Sequence, residues 1–275
     1  MINTNNIFLA ATLVAMTFFT ACNKDNDPFG RCHPENITLT ENGATSSFDF
    51  HPDFSGKLAD ISLYMGTDSA VNYHYHYDAE GMVIKIDKKN AVTSAIESYF
   101  EITSSGDTIS KYQEFVYKGT QYVLSGEAQY VYSNGTLQTI KILGASSTGT
   151  LYQYADLGLT FSSNNAIRVQ LNMDVLAFFS IIFGQTPTGY KPIKIGVQES
   201  LFDNSPNPLY GNVIPAINLI NLGLSKNNLT QLVSIPAGGQ TVTNTLSLTY
   251  NKKELVTSGS SDNLSYTVTY TGCKE

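Results

Sequence analysis

The 275-residue chain has no tryptophan, only three cysteines, and Asp, Glu, Lys and Arg together at 14%. The missing indole removes the broadest flat surface on which a sugar ring could stack, leaving that work to tyrosine. Lys and Arg number 16 against 23 Asp and Glu, for a net charge of −7, and no basic cluster appears. A nucleic-acid partner is excluded on that ground, because gripping a phosphate backbone takes clustered cations. Long apolar runs are also lacking. The stretch IFLAATLVAMTFF at residues 7–19 is too short to cross a bilayer comfortably and matches the hydrophobic part of a secretory signal. Catalytic signatures are absent too: there is no Gly-x-Ser-x-Gly elbow, no phosphate-binding Gly-x-x-x-x-Gly-Lys-Ser/Thr loop and no His-Glu-x-x-His, and Ser261-Asp262-Asn263 has no Ser-x-x-Lys companion.

What is plentiful is tyrosine (17), phenylalanine (14), Ser, Thr and Asn, a mixture that suits antiparallel sheet with polar turns. Residues 73–87, YHYHYDAEGMVIKID, read as one hairpin. Ile84 and Ile86 are expected on the packed face, with Lys85 and Asp87 on the wet one. Between the strands the Asp78 carboxylate can accept from nearby backbone N–H groups, and Gly81 can take positive φ. Related hairpins recur at residues 115–124, 130–143 and 246–256. Asn134-Gly135 suits a two-residue mirror-image turn, whereas in the last copy the glycine position holds Glu254.

Taken in order, the chain begins with the signal-like run and then Phe19-Thr20-Ala21-Cys22. This resembles a bacterial lipobox, in which the cysteine is diacylated and becomes the mature N-terminus. Phe19 stands where Leu is commonest, and residues 1–6 carry no Lys or Arg. The acidic stretch after Cys22 resembles the tether that sends lipoproteins of the Bacteroidota to the outer face of the outer membrane. The expected organisation is a signal peptide over residues 1–21, a flexible tether over 22–31 and a single antiparallel β domain over 32–273. With Cys22 acylated, Cys32 and Cys273 remain. In an exported chain they form one disulfide or stay as two thiols. A bond would set the first and last strands side by side and contribute about 4–5 kcal/mol in the chain-entropy model.

Two passages interrupt the alternation. Residues 173–184, MDVLAFFSIIFG, are apolar without a clean period and read as a buried short helix or a fully covered strand. Residues 202–211 form a Pro/Asn/Gly turn cluster, and residues 214–224 suit a short helix with one apolar side, a lid or plug over one end of the sheet. The closing segment is regular: Leu264, Tyr266, Val268 and Tyr270 alternate with Ser and Thr. The fold class expected is therefore all-β, a large antiparallel meander in a strongly curved or barrel-like sheet with one or two short helices.

The lipobox, the Tyr77-Asp78-Ala79-Glu80-Gly81 type of hairpin, the passage from Phe202 to Gly211 and Ser225-Lys226-Asn227-Asn228-Leu229 together resemble a family of Bacteroidota lipoproteins of unknown function with a porin-like fold. The resemblance implies a curved or barrel-like β domain held at the outer membrane by lipid, at the cell surface. It transfers no catalytic residue.

Chemistry is sparse. His74 and His76 form a His-x-His pair on one strand face about 7 Å apart, a zinc motif if His33 or His51 supplies a third ligand, and otherwise polar residues on a wet face. Asp203 and Tyr210 in the Asn/Pro loop are candidate ligand contacts, although an Asp at a turn start more often serves its own backbone. No cofactor is expected. The leading reading is a non-enzymatic surface lipoprotein that binds a small ligand, a glycan or a protein. Its competitors are an outer-membrane porin-like barrel, which needs an outward apolar band, and a zinc hydrolase built on His74 and His76.

Overall fold

Alternating text becomes strand throughout the computed structural model, which describes residues 33–41, 43–66, 69–105, 108–207, 210, 225–262 and 264–273. The expected signal peptide, Cys22, the tether, Cys32 and the 214–224 lid lie outside the described residues. The first nine strands are β1 (His33–Glu41), β2 (Ala44–Pro52), β3 (Leu58–Met65), β4 (Ser69–Tyr77), β5 (Val83–Asn90), β6 (Ile96–Ser105), β7 (Thr108–Tyr117), β8 (Tyr122–Ser133) and β9 (Thr136–Ala145). They are followed by β10 (Leu151–Ser162), β11 (Asn165–Met173) and helix α1 (Val175–Ile182). Then come β12 (Ile193–Pro206), β13 (Asn227–Pro236), β14 (Val242–Thr245), β15 (Ser247–Tyr250), β16 (Val256–Ser260) and β17 (Leu264–Thr271).

Each strand pairs antiparallel with its sequence neighbour, and β17 pairs with β1, Leu264 opposite Glu41 and Thr271 opposite His33. The ladder changes partner once. Strands β14 and β15 are two halves of one bent strand, the first on β13 and the second on β16. At the joint Leu246 donates its N–H to the Thr230 carbonyl at 2.8 Å. The result is a nearly closed barrel-like sheet. Cys273 is disulfide-bonded, with a partner outside the described residues. The β1·β17 register sets His33, the sequence neighbour of Cys32, opposite Thr271.

The packed side of this wall faces inward. Along β17, Tyr266 and Val268 are buried while Ser265, Thr267 and Thr269 are exposed. Ile37, Ile61, Ile86, Ile140, Leu157 and Leu171 from six other strands join the same apolar cluster, each contributing about 1.5–3 kcal/mol of burial. Bulges keep the phase where the text slips. Opposite Val131 and Tyr132 the ladder skips Gln138, which lets Leu137 and Ile140 both point inward.

The turns follow their chemistry. Met82 donates its N–H to Asp78 Oδ1 at 2.7 Å, and Gly81 sits at φ +88°. Asn134 and Gly135 are both left-handed, as a mirror-image turn requires. The last hairpin copies the Asp78 turn, with Asn251 Oδ1 accepting from Leu255 N–H at 3.1 Å and Glu254 held at φ +61°.

Several expectations need correction. Ile84 does not share the packed face with Ile86. The ladder passes from Tyr77·Val83 to His76·Lys85, so Ile84 is the bulged residue, 44% exposed, and Val83 takes the inward place. The Asn/Pro passage opens as the end of β12, so Asp203 lies in a strand and not in a loop. Of the two options for residues 173–184, the helix is realised. Asp174 caps it, accepting from Ala177 N–H at 2.9 Å, and the helix is only half covered.

Candidate functional site

Antiparallel register decides what meets on the outer wall. It aligns Asp60 with His74, His74 with Asp87, and Asp87 with Tyr99 across β3–β6. His74 Nδ1 lies 2.8 Å from Asp60 Oδ1, and His76 Nε2 lies 2.7 Å from Asp87 Oδ2. Lys85 Nζ approaches the other Asp87 oxygen at 2.8 Å. The two imidazoles meet edge to face with centroids 4.8 Å apart. Burial pushes the Asp87 carboxyl up, but Lys85 and His76 beside it outweigh that and hold it below the ordinary carboxylate range.

The pair expected for zinc is thus turned toward carboxylates on neighbouring strands. His51 Nε2 is 3.4 Å from Ser62 Oγ, and His33 sits at the Gly56 turn. Among the described residues no three His, Cys, Asp or Glu side chains converge on a metal position. This cluster stands on the outer wall with His74 and His76 more than a third exposed.

Beside it runs an aromatic ridge that the text did not single out. Tyr99 stacks on Phe115 with centroids 4.9 Å apart, Tyr122 meets Tyr99 edge-on at 5.0 Å, and Tyr117 lies 5.3 Å from Tyr122. Lys85 Nζ stands 4.5 Å above the Tyr99 ring, a cation–π contact that ties ridge to carboxylate. The only sequence sign was the pairing of two alternating strands, and the ridge appears once β6·β7 register puts Tyr99 opposite Phe115.

Asp203 is saturated by its own chain. Oδ1 accepts from Ser205 N–H and Asn228 N–H, each at 3.0 Å, and Oδ2 accepts from the Asn228 amide and the Tyr250 hydroxyl. Those bonds bind β12, β13 and β15 where the β12·β13 register slips. Tyr210 is half-buried, donates its N–H to the Asn207 carbonyl at 3.1 Å, and is absent from the Asp203 network. Burial raises its phenol.

At the end of the barrel that carries α1, the helix and the strap after it enclose a recess of about 480 Å³, with Leu176, Pro187 and Ile193 among its apolar walls and Lys191 at its edge. Asp174 holds both sides, capping α1 through Oδ1 and accepting from Lys191 N–H at 2.6 Å through Oδ2.

A ring of antiparallel strands with, among the described residues, one short helix has solved counterparts. The fold is porin-like. A porin-like protein from Bacteroides uniformis superposes with a TM-score of 0.51 at 13% identity, covering 86% of this chain and 96% of that one. A porin-like protein from Bacteroides vulgatus gives 0.51 at 9% identity, covering 87% and 99%. At these identities the likeness is one of fold. No family model matches the sequence, and no curated protein matches it either.

Proposed function

We propose that this protein is a non-enzymatic cell-envelope lipoprotein, anchored through acylated Cys22, whose barrel-like domain binds a ligand or partner on its outer wall. The observation that carries the reading is the direction of the wall: the apolar core points in, whereas outside, apart from the Tyr99–Phe115 ridge, the strands present groups such as Glu101, Ser265, Thr267, Thr269, Lys85 and the two imidazoles. A barrel that spans a bilayer needs the reverse, an apolar band toward lipid. The name porin-like therefore transfers shape and not channel activity. The likeness to Bacteroides proteins and the sequence of residues 19–27 support an address at the outer membrane, with the domain facing the cell exterior.

The outer-wall cluster of His74, His76, Asp87, Lys85, Tyr99 and Phe115 is the contact surface we assign. It combines ring faces, a fixed cation and carboxylates, the groups that recognise polyhydroxylated or peptide ligands. Palmitate labelling of the expressed chain tests the anchor, with label expected on the native chain and lost in Cys22→Ala. Glycan and peptide arrays probed with purified protein test the surface. Binding that persists unchanged in Tyr99→Ala and His76→Ala removes the outer wall as the contact.

A further inference from the structure

Strand direction divides the turns between two ends. The chain enters β1 and leaves β17 at one end, and at the other lie α1 and the turns at residues 118–121, 146–150 and 237–241. On this second end the helix turns an apolar side to solvent. Leu176 is 80% exposed and Phe183 71%, with Phe179, Ile182 and Ile193 beside them and Tyr117, Tyr122 and Val242 at neighbouring strand ends. A cluster of large apolar side chains this open marks a contact surface.

The charge around it departs from the rest of the molecule. The chain carries 23 acidic residues, yet the segments closest to α1, at 118–121, 146–150, 174–192 and 237–241, contain a single one, Asp174, which is 4% exposed with both oxygens engaged. The exposed Asp262 of this end lies in the β16–β17 turn, several strands away. Lys118, Lys191 and Lys194 are exposed around the same end. Protruding Leu, Ile and Phe, flanked by tyrosines and by lysines with no exposed carboxylate in the adjoining turns, match the polar–apolar boundary of a membrane.

We infer that the α1 end of the barrel docks on an anionic lipid bilayer, with Leu176, Ile182, Phe183 and Ile193 entering the acyl boundary and the three lysines meeting headgroup phosphates. This contact is distinct from Cys22, since β1 starts at the opposite end, and it stands or falls independently of acylation.

The absence of tryptophan supplies the test. Phe183→Trp in the full chain places a lone indole at the C-cap of α1, reading this end and not the apolar run at residues 7–19. With phosphatidylglycerol vesicles its emission should move to shorter wavelength and be quenched by brominated acyl chains, less so at high salt. Val131→Trp, exposed at the other end, should not respond. Each of Lys118→Gln, Lys191→Gln and Lys194→Gln should weaken vesicle binding roughly fivefold. Unchanged Phe183→Trp emission with vesicles overturns the inference. So does a blue shift that appears without lipid and grows with protein concentration, which would assign the face to a second copy of the chain, and so does vesicle binding indifferent to all three lysine changes.

Discussion

His76 donates toward Asp87 from one side while Lys85 closes on the same carboxylate from the other, so a side chain with 6% exposure carries its charge on an otherwise open wall. Its carboxyl titrates below the usual range in the folded chain. The stabilisation is therefore complete above the unfolded value near 3.8 and is lost as pH falls through the lower folded value. Acid unfolding followed by circular dichroism should show Asp87→Asn less sensitive to pH in that window, and less stable at neutral pH by about 1–3 kcal/mol.

Buried tyrosines set the alkaline limit. Burial raises Tyr73 and Tyr132 to about 12, and it raises Tyr75 and Tyr130 further. A neutral phenol favoured by folding contributes fully below the unfolded value of 10 and is lost as pH rises from 10 toward 12. Ultraviolet titration of tyrosinate should show a late, cooperative step coinciding with loss of β-sheet signal. A smooth titration near pH 10 with the sheet intact would contradict the packing.

Glu254 occupies the left-handed position that Gly81 fills in the equivalent turn. A side chain there costs about 1–2 kcal/mol, partly offset in glycine by its freer unfolded state. Glu254→Gly should raise stability by about 1 kcal/mol, or 2–4 °C in Tm for a domain this size, measured by thermal melting.

Asp174 links α1 to the strap at Lys191. Asp174→Ala should cost about 1–2 kcal/mol as a lost cap and speed hydrogen exchange at the Ala177 and Lys191 amides together. Faster exchange at only one of them would mean the two bonds act separately.

Much of the wall could be read in advance because alternation and turn chemistry are local. Tyr266 and Val268 needed only a period of two, and Asp78 with Gly81 only the rules of a turn. The error at Ile84 arose because a bulge is settled by pairing with Tyr77, a partner that the β5 text does not mention. Strand β12 went unread since its pattern is mixed and its end sits among Asn and Pro, held extended by Asp203 and its donors on β13 and β15. The outer-wall cluster was half visible. His74 and His76 stand out as a pair, but their carboxylate partners come from strands on either side, and among the described residues no group of three ligands forms around them. The apolar side of α1 was hidden for a further reason: a sequence shows that Leu176 and Phe183 are apolar, but not that the sheet leaves them uncovered.

Joining β1 to β17 makes the first strand wait for the last. Their partners, such as Ile37 and Val268, are separated by nearly the full length of the domain, so this seam can only zip after every intervening hairpin has formed. Until then two unsatisfied strand edges are open to neighbouring chains. The dangerous interval for this protein is thus the one just before completion, and a chain shortened by its final eight residues would retain nearly all its hairpins yet be prone to polymerise edge to edge.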